Sequence, residues 1–128
     1  MADRTNPAYV WPMSTPKNIL IVEDEPLIAM MLEDFLDILD RSVAGVADSV
    51  ASAMTLLDAG GIDGAILDLN LRGGETSVPI ATALAERNIP FVFATGGGSD
   101  SVDKDFRDRP RLQKPFTMDG VEKALNAL

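Results

Sequence analysis

Five residues carry most of the chemistry available to this 128-residue sequence: Glu23, Asp24, Asp68, Thr95 and Lys114. Each follows or ends an expected strand: Glu23-Asp24 after the apolar run Asn18–Val22, Asp68 after Gly64–Leu67, Thr95 after Ile89–Ala94, and Lys114-Pro115 after the short segment Arg111–Gln113. If those runs lie side by side, three carboxylates, a hydroxyl and a lysine share one edge. Clustered carboxylates repel one another, and their ionised forms need compensation. Mg²⁺ is suited to supply it, because it prefers carboxylate and water oxygens in an octahedron. Lys114 adds a compact positive charge with three donors. An Asp carboxylate in this setting can act as a nucleophile and form an aspartyl phosphate. The metal, the lysine, the Thr95 hydroxyl and backbone N–H groups would then answer the charge spread over the phosphoryl oxygens.

Composition narrows the alternatives. The chain has no cysteine and no histidine, which removes thiol nucleophiles, cysteine zinc sites, imidazole bases and the Ser-His-Asp arrangement. A net charge of −9 repels phosphate backbones and anionic lipid, so neither direct nucleic-acid binding nor membrane binding is expected. The same acidity suits hard divalent cations. No apolar run approaches the ~20 residues that span a bilayer, and the N-terminus lacks the order of a signal peptide. The expected location is cytoplasmic.

The elements that must position these residues follow from the apolar pattern. Residues 1–16, with Pro7, Pro12 and Pro16, show no apolar period and read as an irregular N-terminal arm. Tyr9, Val10 and Trp11 are its candidates for docking on the body. Residues 17–128 read as one domain. Asn18–Val22, Ser42–Val46, Gly64–Leu67, Ile89–Ala94 and Arg111–Gln113 are its expected strands; continuous apolar runs suit strands buried on both faces. Between them lie helical patterns. Pro26 opens one, with Leu27, Ile28, Met31, Leu32, Phe35 and Leu39 on its apolar face. Ser49 caps a second, which Gly60-Gly61 ends. A third runs from about Val78 to Arg87, and a last one follows Thr117. Residues 99–109 have little apolar period, so a helix there is expected to be short or mobile. Alternating strands and helices predict an α/β, flavodoxin-like, doubly wound sheet of five parallel strands in the order 2-1-3-4-5, with about five helices. Ligands of such sheets bind beyond the carboxyl ends of the strands, at the switch between the first and third.

From about Pro16 to Leu128 the chain resembles the receiver domains of bacterial response regulators. The segments "ILIVEDEP", "GAILDLNLRGG", "PFVFATG" and "QKPF" carry the likeness, in the right order and each closing an expected strand. The resemblance implies phosphorylation of Asp68 by a sensor histidine kinase, in a two-component phosphorelay. It implies Mg²⁺ held by Glu23, Asp24, Asp68 and the backbone carbonyl of Asn70. Thr95 matches the switch hydroxyl, Lys114 matches the family's lysine, and Lys114-Pro115 matches its usual cis bond. Such a domain signals by protein–protein contact with a downstream partner that the sequence leaves unidentified. It is not an enzyme in the ordinary sense, although it assists its own phosphorylation and dephosphorylation. With no output segment after the last helix, a stand-alone receiver is expected.

The sequence departs from the family pattern at two points. Receivers usually carry Tyr or Phe three residues before the lysine; here Arg111 stands there, and burying a guanidinium without a partner is costly. The usual aromatic rotamer switch is therefore not expected. The stretch after Thr95 is short and glycine-rich, and "FATGG" resembles the alphaproteobacterial FATGUY subset, which often partners HWE-type kinases. An order–disorder transition of residues 96–109 is the alternative switch.

Plainer readings exist for each residue. Asp68 could cap a turn, Glu23 and Asp24 could favour a helix N-terminus through its dipole, Thr95 could simply end a strand, and Lys114 could be a surface charge. Two other functions compete with the active receiver. An aspartate-nucleophile phosphatase would need an Asp-x-Asp-x-Thr pattern after the first strand, where this chain has Glu23-Asp24-Glu25. A degenerate receiver that binds partners without phosphorylation would lack residues that are all present here.

Overall fold

The structure, a computed structural model, describes residues 17–95 and 109–128. The arm expected at 1–16, the short helix expected within 99–109 and the proposed switch at 96–109 lie, apart from Arg109, outside the described residues.

The described elements alternate as expected: β1 (Asn18–Val22), α1 (Pro26–Ile38), β2 (Ser42–Ala47), α2 (Val50–Ala59), β3 (Gly64–Asp68), α3 (Val78–Glu86), β4 (Phe91–Thr95), β5 (Arg111–Gln113) and α4 (Met118–Asn126), with a 3₁₀ turn at Arg72–Gly74. All strand pairs are parallel, and the order is β2-β1-β3-β4-β5. This is the doubly wound α/β sheet that the alternating pattern predicts.

Parallel strands need cover on both faces, and alternate residues of each strand serve the two layers. Leu20, Val22, Ala65, Leu67, Phe91 and Phe93 pack with Ala53 and Leu57 of α2 and Ile80, Ala81 and Leu84 of α3. Ile19, Ile21, Ile66, Val92, Ala94 and Leu112 pack on the other face with Leu32 and Leu36 of α1 and Val121, Ala124 and Leu125 of α4. The central strands β3 and β4 are buried at every residue. Burial of this kind contributes about 25 cal/mol per Å² of apolar surface, and it fixes the register that brings the strand ends level.

Local chemistry sets the helix ends. Pro26 occupies the first turn of α1, where its missing N–H costs nothing. Ser49 and Ser52 form a reciprocal capping box at α2, and Thr117 accepts from the Gly120 N–H at α4. Gly60 follows α2 with φ 85°, a backbone region open to glycine.

Two boundaries and one face differ from the sequence reading. β4 begins at Phe91 rather than Ile89, because Asn88 takes a left-handed φ of 57° to end the α3 turn and Pro90 has no N–H for a ladder. β2 runs to Ala47, and its register against β1 shifts between Ile19 and Leu20. On α1, Leu27 is 78% exposed, whereas Leu36 is fully buried. The stripe facing the sheet is Ala29, Leu32 and Leu36, flanked by Ile28, Met31, Phe35 and Leu39.

Candidate functional site

The carboxyl ends of β1, β3, β4 and β5 form the edge at which the residues named from sequence meet. Register does the first part of the work: Val22 pairs with Leu67, Asp68 with Ala94 and Thr95 with Gln113. Two backbone bonds then fix residues just past their strands. The Glu23 N–H donates to the Ala47 carbonyl at 2.9 Å, and the Lys114 N–H donates to the Thr95 carbonyl at 2.9 Å. The Lys114-Pro115 bond is cis, as the resemblance implied.

Glu23, Asp24 and Asp68 each offer a carboxylate oxygen, and these oxygens lie within 4.8 Å of one another. Lys114 reaches into the cluster from beyond β5, its Nζ 3.2 Å from Asp68 Oδ1 and 3.7 Å from Glu23 Oε1. Glu23, Asp68 and Thr95 are buried. Asn70, two residues past Asp68, is exposed and bridges to Thr76 across the loop.

The electrostatics follow from this crowding. Burial first, and the neighbouring Asp68 charge second, push the Glu23 carboxyl up to about 7. The Glu25 N–H, which donates to Glu23 Oε2 at 3.2 Å, and the Lys114 charge work in the opposite sense. Burial works against the Lys114 charge, but Asp68 and then Glu23 outweigh it and hold this lysine above its ordinary range. One carboxylate oxygen, Glu23 Oε1, is buried with no hydrogen-bond partner. Lys114 Nζ, 3.7 Å away, lies beyond hydrogen-bond distance, and a buried oxygen left without a hydrogen bond is costly. Three converging oxygen ligands, one of them buried without a hydrogen bond, suit a hard divalent cation of the Mg²⁺ kind.

Sequence reasoning missed two residues of the loop after β3. Arg72 approaches Asp24 from that loop, with Nε 3.7 Å from Asp24 Oδ2 and Nη2 donating to the Asp24 backbone carbonyl. Glu75 Oε1 accepts from the Val50 N–H at 2.8 Å, filling the N-terminus of α2. Arg72 stands inside the segment "GAILDLNLRGG" and Glu75 just past it, but nothing local names their partners, because their reach depends on a loop path set by tertiary contacts. Arg111, which stands where an aromatic is usual, is exposed on β5.

An open parallel sheet with an acidic cluster and a lysine at its strand ends is the arrangement expected of a receiver domain. Accordingly, the response regulator receiver domain family matches residues 19–126, and the chain belongs to that family. It is 37% identical over 79 residues to the phyllosphere-induced regulator PhyR of Methylorubrum extorquens, a match covering 60% of this chain and 30% of PhyR. The matched region thus spans under a third of that relative. Among solved structures it is similar to SdrG from Sphingomonas melonis Fr1, with 70% identity and a TM-score of 0.79, over 87% of this chain and 94% of that one. It is also similar to the BeF₃-activated conformation of SdrG from Pseudomonas melonis Fr1, with 71% identity and a TM-score of 0.76, over 86% and 93% of the two chains.

Proposed function

We propose that this receiver accepts a phosphoryl group on Asp68 from a phosphohistidine of a sensor histidine kinase, in a Mg²⁺-dependent reaction, and passes the signal on through protein–protein contacts. The observation that carries this reading is Lys114 Nζ at 3.2 Å from Asp68 Oδ1, beside two further carboxylates that can hold a metal. Glu23, Asp24, Asp68 and the Asn70 carbonyl are the proposed Mg²⁺ ligands. When bound, the metal supplies positive charge for the phosphoryl oxygens.

The chain's own residues do the rest. An Asp68 carboxylate oxygen attacks phosphorus, the P–N bond to the donor imidazole breaks, and the imidazole leaves and takes up a proton. The product is an acyl phosphate on Asp68. Lys114, already paired with Asp68, turns its donors to the new phosphoryl oxygens, and the Thr95 hydroxyl bonds another. Burial of Asp68 and Thr95 strengthens these contacts, since opposite charges attract more strongly in a lower dielectric.

The likeness to SdrG, a structure of which is in a BeF₃-activated conformation, supports a response to phosphoryl-like groups. The "FATG" segment, Phe93 to Gly96, favours a place in the FATGUY subset and a kinase of the HWE type. Among the described residues no helix is long and apolar enough to cross a membrane; a cytoplasmic location fits a kinase partner that uses phosphohistidine. Residues 17–128 form the receiver, and residues 1–16 are an appendage to it.

Incubation with Mg²⁺ and acetyl phosphate, followed by intact-protein mass measurement, tests the reading. The wild type gains one phosphoryl mass and Asp68→Asn does not. Equal labelling of the two proteins rejects Asp68 as the acceptor.

A further inference from the structure

We infer that Arg72 is an internal counter-charge that opposes Mg²⁺ at Asp24, and so sets how tightly the acidic cluster takes metal; this rests on the cluster being the Mg²⁺ site proposed above. The described cations divide the cluster between them. Lys114 faces Asp68 and Glu23, and Arg72 faces Asp24. Each carboxylate has a cation within 4 Å, so an incoming metal meets charges already partly neutralised.

The contact is built into the loop rather than left to a free side chain. Leu69 and Leu71, on either side of Asn70, are buried. The Ser77 N–H donates to the Leu69 carbonyl at 3.0 Å, and the Leu71 N–H donates to the Glu75 carbonyl at 2.7 Å. Glu75 is tied in turn to the first N–H of α2. Arg72 therefore starts from a fixed backbone position and reaches across to the segment after β1. Its guanidinium is anchored on the Asp24 carbonyl, a contact that does not depend on what the Asp24 carboxylate binds. When that carboxylate turns to a metal, the guanidinium stays nearby and repels it.

The strength of this opposition is moderate. The Arg72 side chain is 71% exposed, and an exposed charge is screened by solvent and salt. The expected effect on Mg²⁺ affinity is therefore about three- to tenfold at low salt, shrinking as ionic strength rises above ~0.1 M, where the Debye length falls below ~10 Å.

Titration of the full chain with MgCl₂ alone, followed by amide chemical shifts near Asp68 or by calorimetry, reads this directly. Arg72→Ala tightens Mg²⁺ binding by about three- to tenfold at low salt and by less at high salt. Arg72→Lys keeps the charge but loses the two-point guanidinium contact, so it tightens binding less than Arg72→Ala does. Unchanged or weaker binding in Arg72→Ala overturns the inference. Equal tightening in Ala and Lys variants overturns it too, because loop position rather than charge would then be responsible. Asp24→Ala separates this result from the underlying reading: if wild type binds Mg²⁺ no better than Asp24→Ala, the metal site itself is wrong.

Discussion

Lys114 lies beyond β5 and Asp68 ends β3, yet Nζ and Oδ1 are 3.2 Å apart, reaching across the end of β4. The pair ties two non-adjacent strands through one charge-assisted contact. Replacing Lys114 with Met removes the charge and leaves a buried carboxylate cluster less compensated. Metal-free Lys114→Met is expected to lose stability on the order of 1 kcal/mol, between the values for exposed and buried pairs, read by urea unfolding. It should still bind Mg²⁺ while losing the amide-shift response to phosphorylation. A full response in that variant contradicts a role for Lys114 in reading the phosphoryl group.

Stability also depends on the cap of α2. The Ser49 hydroxyl accepts from the Ser52 N–H at 3.1 Å, and the Ser52 hydroxyl accepts from the Ser49 N–H at 3.2 Å. Ser49→Ala breaks this exchange and should cost about 1 kcal/mol. The m-value should not change, since the unfolded surface is the same. A denaturation midpoint equal to wild type would mean that solvent satisfies the α2 N-terminus equally well.

The Glu23 carboxyl gives the metal-free protein a pH dependence of a defined sign. Burial and Asp68 raise it to about 7 from 4.5. Between those values the folded chain holds a proton that the unfolded chain has released, so stability falls as pH rises through this window. Mg²⁺ must displace that proton, so its affinity rises with pH over the same range. Glu23→Gln flattens the metal-free stability profile. Thermal melts from pH 4 to 8 without metal check this; a wild-type profile no steeper than that of Glu23→Gln in the window contradicts it.

Metal loading should raise the melting temperature, because a ligand that binds only the folded state stabilises it by mass action, about 2.7 kcal/mol at a hundredfold excess over Kd. Asp24→Ala removes most of the gain. Coincident melts of apo and Mg²⁺-saturated wild type would show that Glu23, Asp24 and Asp68 do not act together as a site.

How much of this was legible in the sequence depended on the physical signal each residue leaves. Buried parallel strands are written as continuous apolar runs, so Asn18–Val22 and Gly64–Asp68 could be located closely, and with them the polar residues that follow; Arg111–Gln113, with only Leu112 buried, was placed by its position before Lys114-Pro115 rather than by an apolar run. Ser49 and Thr117 were legible because a cap needs a short hydroxyl at one position. The α1 stripe was less clear: Leu27 is apolar, but it lies in the first turn and points to solvent, and periodicity alone cannot tell it from Leu36. The β4 boundary was blurred because Ile89 is apolar though it belongs to the turn after α3, where the Ile89 N–H donates to the Leu84 carbonyl at 2.9 Å. Arg72 falls within a quoted family segment and Glu75 just after it, but the roles of both left no local signature. Their partners, Asp24 and Val50, lie on other elements and are defined only once the sheet has assembled.

The most direct test of the central claim is chemical mapping of the acceptor. An acyl phosphate is reduced by borohydride, which converts a phosphorylated aspartate to homoserine. The protein is phosphorylated with acetyl phosphate and Mg²⁺, reduced, digested and sequenced by mass spectrometry. The account predicts homoserine at position 68, dependent on Mg²⁺ and absent when the metal is chelated. Homoserine at another aspartate, or no reduction product under conditions that load Mg²⁺, would contradict it.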